Sequence, residues 1–361
     1  MPITVLDQLP FLLLKSFTVT LILLFLFRPL SFKLGLVDNP GGRKKHSNSV
    51  PLVGGLAIFL GFSIILLPTM IYNKAYCIFW LAGVVLSIIS GIDDRFHLRA
   101  SSRFIMHLVV ITMIAFFGET AIVQLGNLLG TGVIFLGWGS LFFTSFAVVG
   151  IINAVNMMDG SDGLTACVSL VELGLMLFLA LQSHLTMEVM IIVTFMGTLL
   201  AFLLFNFPAK IIEKYKVFLG DAGSTLIGLL LAWLCVRLTQ RPDGYPPALM
   251  LWLVALPLMD TLHLMINRKV RGVPAFQADR RHIHHICLQM NCSPKQIVFL
   301  LSGSALLIGL SGIGLYQAGV PELMLFYGMA MVFCVYSAIA YLLKKRVLQR
   351  KIVIRRPIKL V

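Results

Sequence analysis

The chain has 361 residues, of which 58% are hydrophobic and only 12% charged. Apolar runs of about 17–25 residues recur from end to end, the length a helix needs to cross a bilayer, and such a pattern excludes an ordinary soluble globular domain. The net charge of +14 raises nucleic acid as a partner, but the placement of that charge argues for a membrane.

In chain order the runs predict spans near 11–27, 52–71, 76–92, 104–118, 133–152, 164–182, 187–206, 222–238, 248–267, 296–318 and 322–343. The first has no small-residue cleavage site after it, so it reads as a retained span rather than a signal peptide. Alternating sides places the connections 28–51, 93–103, 153–163, 207–221, 268–295 and 344–361 together, and these hold 25 of the 29 Lys and Arg. The opposite side has only Lys15, Lys74, Arg237 and Arg241. By the positive-inside rule the rich side is cytoplasmic. The predicted fold class is therefore an all-α polytopic integral membrane protein. It has about eleven transmembrane helices, a periplasmic N-terminus and a cytoplasmic C-terminus.

No internal repeat is evident, and the longest cytoplasmic connection has 28 residues. A single transmembrane domain over 1–343 is expected, followed by a basic tail at 344–361. The tail, KKRVLQRKIVIRRPIK, suits anionic lipid headgroups better than nucleic acid. Six scattered cysteines form no disulfide framework and read mostly as small core residues.

The acids are less ordinary. GIDDRFHLR puts Asp93 and Asp94 at the C-terminal end of a span, where the helix dipole favours cations. The two also repel each other, so something positive must compensate. Arg95 and Arg99 are candidates, and so is a divalent cation, since Mg²⁺ takes carboxylates together with substrate phosphates. NAVNMMDGSDGL brings Asn153, Asn156, Asp159 and Asp162 to the same side. Asp162 is a candidate N-cap for the span that follows, but capping leaves the other three unexplained. FLGDAGST offers Asp221 as an N-cap of the next span, beside a helix N-terminus that suits anions.

QADRRHIHHICLQMNC gathers Arg280, Arg281, His282, His284 and His285 near Cys287 and Cys292. The two arginines disfavour zinc and suit a pyrophosphate, because guanidinium presents a fork of donors to phosphate oxygens. DNPGGRKKHSNSVPLVGG adds Arg43, Lys44, Lys45 and His46, which topology alone would also explain. Asp260 lies inside an apolar span, where an acid is expensive. His263 or Arg268 is its candidate partner, and a purely structural tie between helices is the alternative. All the clusters except Asp260 fall on the predicted cytoplasmic face, so the active site is expected there. Metal-assisted phosphoryl transfer fits such a set.

These stretches, from DNPGGRKKHSNSVPLVGG through DD, NAVNMMDGSDGL and FLGDAGS to RRHIHH, resemble in order the polyprenyl-phosphate N-acetylhexosamine-1-phosphate transferase family over most of the chain. HIHH is similar to the branch that uses N-acetylglucosamine, whereas the muramoyl-pentapeptide branch usually carries three consecutive histidines. The resemblance implies transfer of N-acetylglucosamine 1-phosphate from UDP-N-acetylglucosamine to undecaprenyl phosphate, with UMP released. It implies Mg²⁺, or Mn²⁺ in its place, a bacterial inner membrane, and a product that starts O-antigen or enterobacterial common antigen synthesis.

The resemblance also implies roles for the residues. Asp93 and Asp94 position metal, with deprotonation of the lipid phosphate as a further role. Asp159 and Asp162 position the nucleotide-sugar phosphates or take part in transfer, oriented by Asn153 and Asn156. Asp221 is a metal ligand. Arg280, Arg281, His282, His284 and His285 hold the diphosphate and sugar, with Lys45 and His46 as further substrate contacts. One departure stands out: the family's Asp-Asp-x-x-Asp has His97 at its last position here, and His97 is given no metal role. Two other readings stay open. One is a different UDP-N-acetylhexosamine donor. The other is a secondary transporter, for which polar groups near the bilayer midplane and a repeated half would be expected.

Overall fold

Most of the described residues are helical. The structure, a computed structural model, describes residues 6–39, 49–96, 100–209, 214–273 and 281–355. Helix α1 (Leu9–Leu34) leads into a two-stranded antiparallel ribbon, β1 (Val37–Asp38) with β2 (Val50–Pro51). Then come α2 (Gly54–Met70), α3 (Lys74–Phe96), α4 (Ala100–Phe117), α5 (Ser140–Met158), α6 (Leu164–Gln182), α7 (Thr186–Asn206) and α8 (Gly220–Thr239). They are followed by α9 (Pro247–Leu253), α10 (Ala255–Val270), a short α11 (Ile283–Gln289), α12 (Pro294–Gln317) and α13 (Glu322–Arg355).

Eight of the described helices are long and apolar enough to cross a membrane, and nine if α9 and α10 count as one broken span. Helix α2 and the 102–117 part of α4 are apolar but shorter. The chain is thus a polytopic membrane protein. Each of the eleven predicted segments carries helix, but with three differences. The predicted span 248–267 is bent by 86° between α9 and α10. Pro257 explains the break: it has no N–H for the Leu253 carbonyl, and its ring crowds that carbonyl. The span predicted from 133 begins only at Ser140 and runs on to Met158, so Asn153 and Asn156 sit on a helix, not in a loop. Helix α13 continues past 343 into the basic segment.

Helix α8 is buried on nearly every side, as a helix apolar all round should be. It packs against α5, α3 and α2. Gly55 of α2 meets the backbone of Gly223, where any Cβ would collide; small residues allow this approach. The amides of Gly54 and Gly55 donate to the carbonyls of Phe218 (3.0 Å) and Leu219 (2.8 Å). The starts of α2 and α8 are thereby fixed at one level, beside the end of α3.

Candidate active site

At that level a cavity of about 520 Å³ opens, lined by Asp38, Asp93, Asp94, Asp159, Asp162 and Asp221, with Arg103 the one cation among its described lining residues. Six carboxyl groups face one guanidinium in the described wall.

Asp93, on the last turn of α3, is 4% exposed. Arg103 Nη1 donates to Asp93 Oδ2 (2.6 Å) and to Asp221 Oδ2 (2.7 Å). Compensation for Asp93 therefore comes from Arg103. Arg95, one of the two sequence candidates, donates instead to the Leu34 carbonyl, and Arg99, the other, lies outside the described residues. Arg103 was counted by sequence only as topological charge. Its signal was position: it starts the helix that follows the acid pair.

Asp94 has a second partner. The Asp221 amide donates to Asp94 Oδ1 (3.1 Å), so a carboxylate from α3 meets the N-terminus of α8, where backbone donors and dipole favour an anion. This corrects the N-cap reading of Asp221. Its own side chain makes no cap bond and sits in the first turn, accepting from Asn156 Nδ2 at 3.4 Å. Asp162 is not the cap of α6 either: Gly163 holds that position, and Asp162 pairs with Lys216 (2.6 Å). Asn153 turns back onto the Val149 carbonyl of its own helix and does not line the cavity.

The loop 159–163 is tied down by Asn206, whose Oδ1 accepts from the Gly163 amide (2.7 Å) and whose Nδ2 donates to the Val217 carbonyl (2.8 Å). Asn206, Lys216 and Asp38 were not singled out by sequence. Asp159 is exposed to the cavity. The protein packed around its carboxyl, with the charges of Asp221 and Asp162, holds it up at about 7.

The histidines stand behind this loop. His284 is 1% exposed, and its ring lies where a Cβ on Gly160 would be, so only glycine fits there. Burial, then the neighbouring His285, pushes its imidazole down to about 3 and keeps it neutral. Neither ring nitrogen has a hydrogen-bond partner among the described residues. His282 stacks on His284 with centroids 5.7 Å apart, and His285 lies 4.2 Å from it. Asp260, 4% exposed, holds this segment. It accepts from His282 Nδ1 (2.7 Å), the Ile283 amide (3.0 Å) and Tyr336 OH (2.8 Å). Of the two partners suggested from sequence, His263 and Arg268, His263 instead meets Asn267. Arg281 is exposed. Lys45, His46, His97 and Arg280 lie outside the described residues.

A divalent cation suits the donor set. All the cavity acids offer hard oxygen, the kind Mg²⁺ and Mn²⁺ take. The Oδ2 atoms of Asp93 and Asp221 already converge on one cationic nitrogen. Among the described residues no three acid, His or Cys side chains enclose a metal-sized point, and the Arg103 guanidinium stands between the Asp93 and Asp221 carboxylates.

A bundle of apolar helices with its polar centre gathered at one end defines a polytopic membrane enzyme. Residues 76–239 match the glycosyl transferase family 4 model. Three undecaprenyl-phosphate alpha-N-acetylglucosaminyl 1-phosphate transferases are similar along almost the whole chain. That of Escherichia coli (strain K12) is 32% identical over 330 residues, covering 90% of this chain and 89% of that protein. That of Yersinia pestis is 34% identical over 329 residues, with 90% and 89% covered. That of Pasteurella multocida (strain Pm70) is 32% identical over 334 residues, with 90% and 91% covered. The chain belongs to this family of polyprenyl-phosphate sugar-phosphate transferases.

Proposed function

We propose that the protein transfers N-acetylglucosamine 1-phosphate from UDP-N-acetylglucosamine to undecaprenyl phosphate, releasing UMP. The observation that carries this reading is the convergence of Asp93 and Asp221 on one cation point, inside a cavity with four more aspartates at one end of the bundle. Such a place admits a lipid-borne phosphate from the bilayer and a nucleotide sugar from water.

Asp93, Asp94 and Asp221 would hold Mg²⁺ or Mn²⁺, which when bound supplies charge neutralisation to phosphate oxygens. An oxygen of the lipid phosphate bonds to the sugar-bearing phosphorus, and the bond from that phosphorus to the UMP oxygen breaks. Asp94 and Asp159 stand where they can take the proton of a protonated lipid phosphate. Arg103, once released from the carboxylates, has its donors beside the transferring group. His284, being neutral, contributes hydrogen bonds rather than charge. Arg281, His282 and His285, with Lys45, His46 and Arg280, complete the phosphate and sugar contacts that the family resemblance assigns.

In this reading the chain makes eleven crossings in a bacterial inner membrane, N-terminus periplasmic, with the cavity and the basic tail after 343 cytoplasmic. The product serves O-antigen or enterobacterial common antigen-type polysaccharide synthesis. The test uses purified protein in detergent with undecaprenyl phosphate, Mg²⁺ and radiolabelled nucleotide sugars, following label into the lipid phase with and without chelator. Chelator-sensitive transfer from UDP-N-acetylglucosamine alone is expected. Transfer only from another UDP-N-acetylhexosamine would reassign the donor, and no transfer from any donor by folded protein would overturn the reaction.

A further inference from the structure

The four basic residues that the charge pattern strands on the side away from the acid clusters are Lys15, Lys74, Arg237 and Arg241. Arg237 and Arg241 line one cavity, and Lys74 pairs with Glu119 of its wall. This cavity, of about 260 Å³, lies at the opposite end of α8 from Asp221 and is lined by Glu119, Thr120, Arg237, Gln240 and Arg241 among others. Sixteen residues separate Asp221 from Arg237, about 24 Å along a helix, so the two cavities are separate places.

The charges around it do not cancel. Glu188, 2% exposed, is matched by Arg237, whose Nε lies 2.8 Å from Glu188 Oε1 and whose Nη2 donates to Tyr76 OH at 3.1 Å. Glu119 at the rim is matched by Lys74 at 2.9 Å. Arg241 remains. Its Nη1 is buried with no hydrogen-bond partner among the described residues. Asp243, two residues on, is exposed and does not line the cavity. A buried guanidinium N–H without an acceptor is costly. The wall beside it is rigid, because Gln240 Oε1 accepts from the amides of Val123 (2.9 Å) and Gln124 (3.1 Å).

We propose that this cavity binds a phosphate-class oxyanion through Arg241. Planar, weakly hydrated guanidinium forks suit phosphate oxygens. Two sources share that chemistry: the headgroup of an anionic bilayer lipid, reached because the cavity sits at the end of an apolar bundle, and free phosphate from water.

The full chain, delipidated in neutral detergent, is titrated with phosphatidylglycerol and separately with inorganic phosphate, and the tightest bound equivalent is counted by native mass spectrometry. Arg241→Gln should weaken that equivalent about ten-fold, a loss of one charge-assisted contact, while eluting as the wild type does. Retention of the lipid alone assigns the headgroup, and retention of inorganic phosphate as well assigns a general oxyanion site. Equal binding by wild type and Arg241→Gln with both probes, or none by wild type, overturns the proposal. Should Arg241→Gln fail to fold, Arg241→Lys replaces it, with about a three-fold loss expected and no loss overturning the proposal.

Discussion

Replacing Arg103 by Gln removes the guanidinium that holds Asp93 and Asp221 together at 2.6 and 2.7 Å. Charge centres in such contacts lie about 4 Å apart, which at an effective dielectric of about 20 is roughly 4 kcal/mol each before solvent is counted. The Arg103 and Asp221 side chains are each 35% exposed, so screening and desolvation take back most of this. A net loss of about 1–3 kcal/mol for the metal-free protein remains. The same change relieves a divalent cation of displacing that guanidinium. Arg103→Gln should therefore bind Mg²⁺ roughly ten-fold more tightly, one factor of ten being about 1.4 kcal/mol. The assay is thermal unfolding of the full chain in detergent across an Mg²⁺ titration at matched ionic strength, where saturation to 100 times Kd adds about 2.7 kcal/mol. Metal-free Arg103→Gln should melt below wild type, and its half-saturating Mg²⁺ should be lower. A half-saturation equal to or weaker than wild type would refute the shared cation point.

Gly160→Ala drives a methyl group into the His284 ring. An overpacking cost of about 1–3 kcal/mol is expected, with turnover lost more steeply than stability; unchanged turnover would separate the histidine wall from the chemistry. Asp260→Asn leaves His282 Nδ1, the Ile283 amide and Tyr336 OH competing for one acceptor oxygen. About 2–4 kcal/mol should be lost, read as a fall in thermal midpoint that Tyr336→Phe only partly reproduces. Asp159, raised from 3.8 to about 7, keeps in the folded protein a proton that the unfolded chain releases. Its stabilising contribution is full below about 4 and is lost as pH rises through about 7. The midpoint of Asp159→Asn relative to wild type should therefore climb between about pH 4 and 7 and level off above, and a flat difference would remove the desolvation argument. Asp94→Ala and Asp221→Ala should abolish label transfer yet still insert in the membrane; near-normal activity in either would refute its assignment.

Hydrophobic run length is a local property, and so are the placement of Lys and Arg and the order of the motifs. The sequence alone therefore settled that the protein is a many-helix membrane protein and which family it resembles. It also pointed to Asp93, Asp94, Asp159, Asp162 and Asp221, because the first two oppose the helix dipole and capping does not account for the rest of the polar cluster on the same side. Partnership between distant residues is not local. Only the packing of α3 against α8, and of α4 against α3, brings Arg103 between Asp93 and Asp221 and carries Asp94 to the start of α8. Capping was misread for the same reason: an N-cap acceptor was sought nearby in sequence, whereas the acceptor at α8 comes from 127 residues earlier. Asp260 likewise took its partners from α13 and the start of α11, across gaps of 76 and 22 residues. The bend at Val254 was legible in principle, since Pro257 lies in the sequence. Run length alone hid it, because proline breaks a helix without making the segment less apolar.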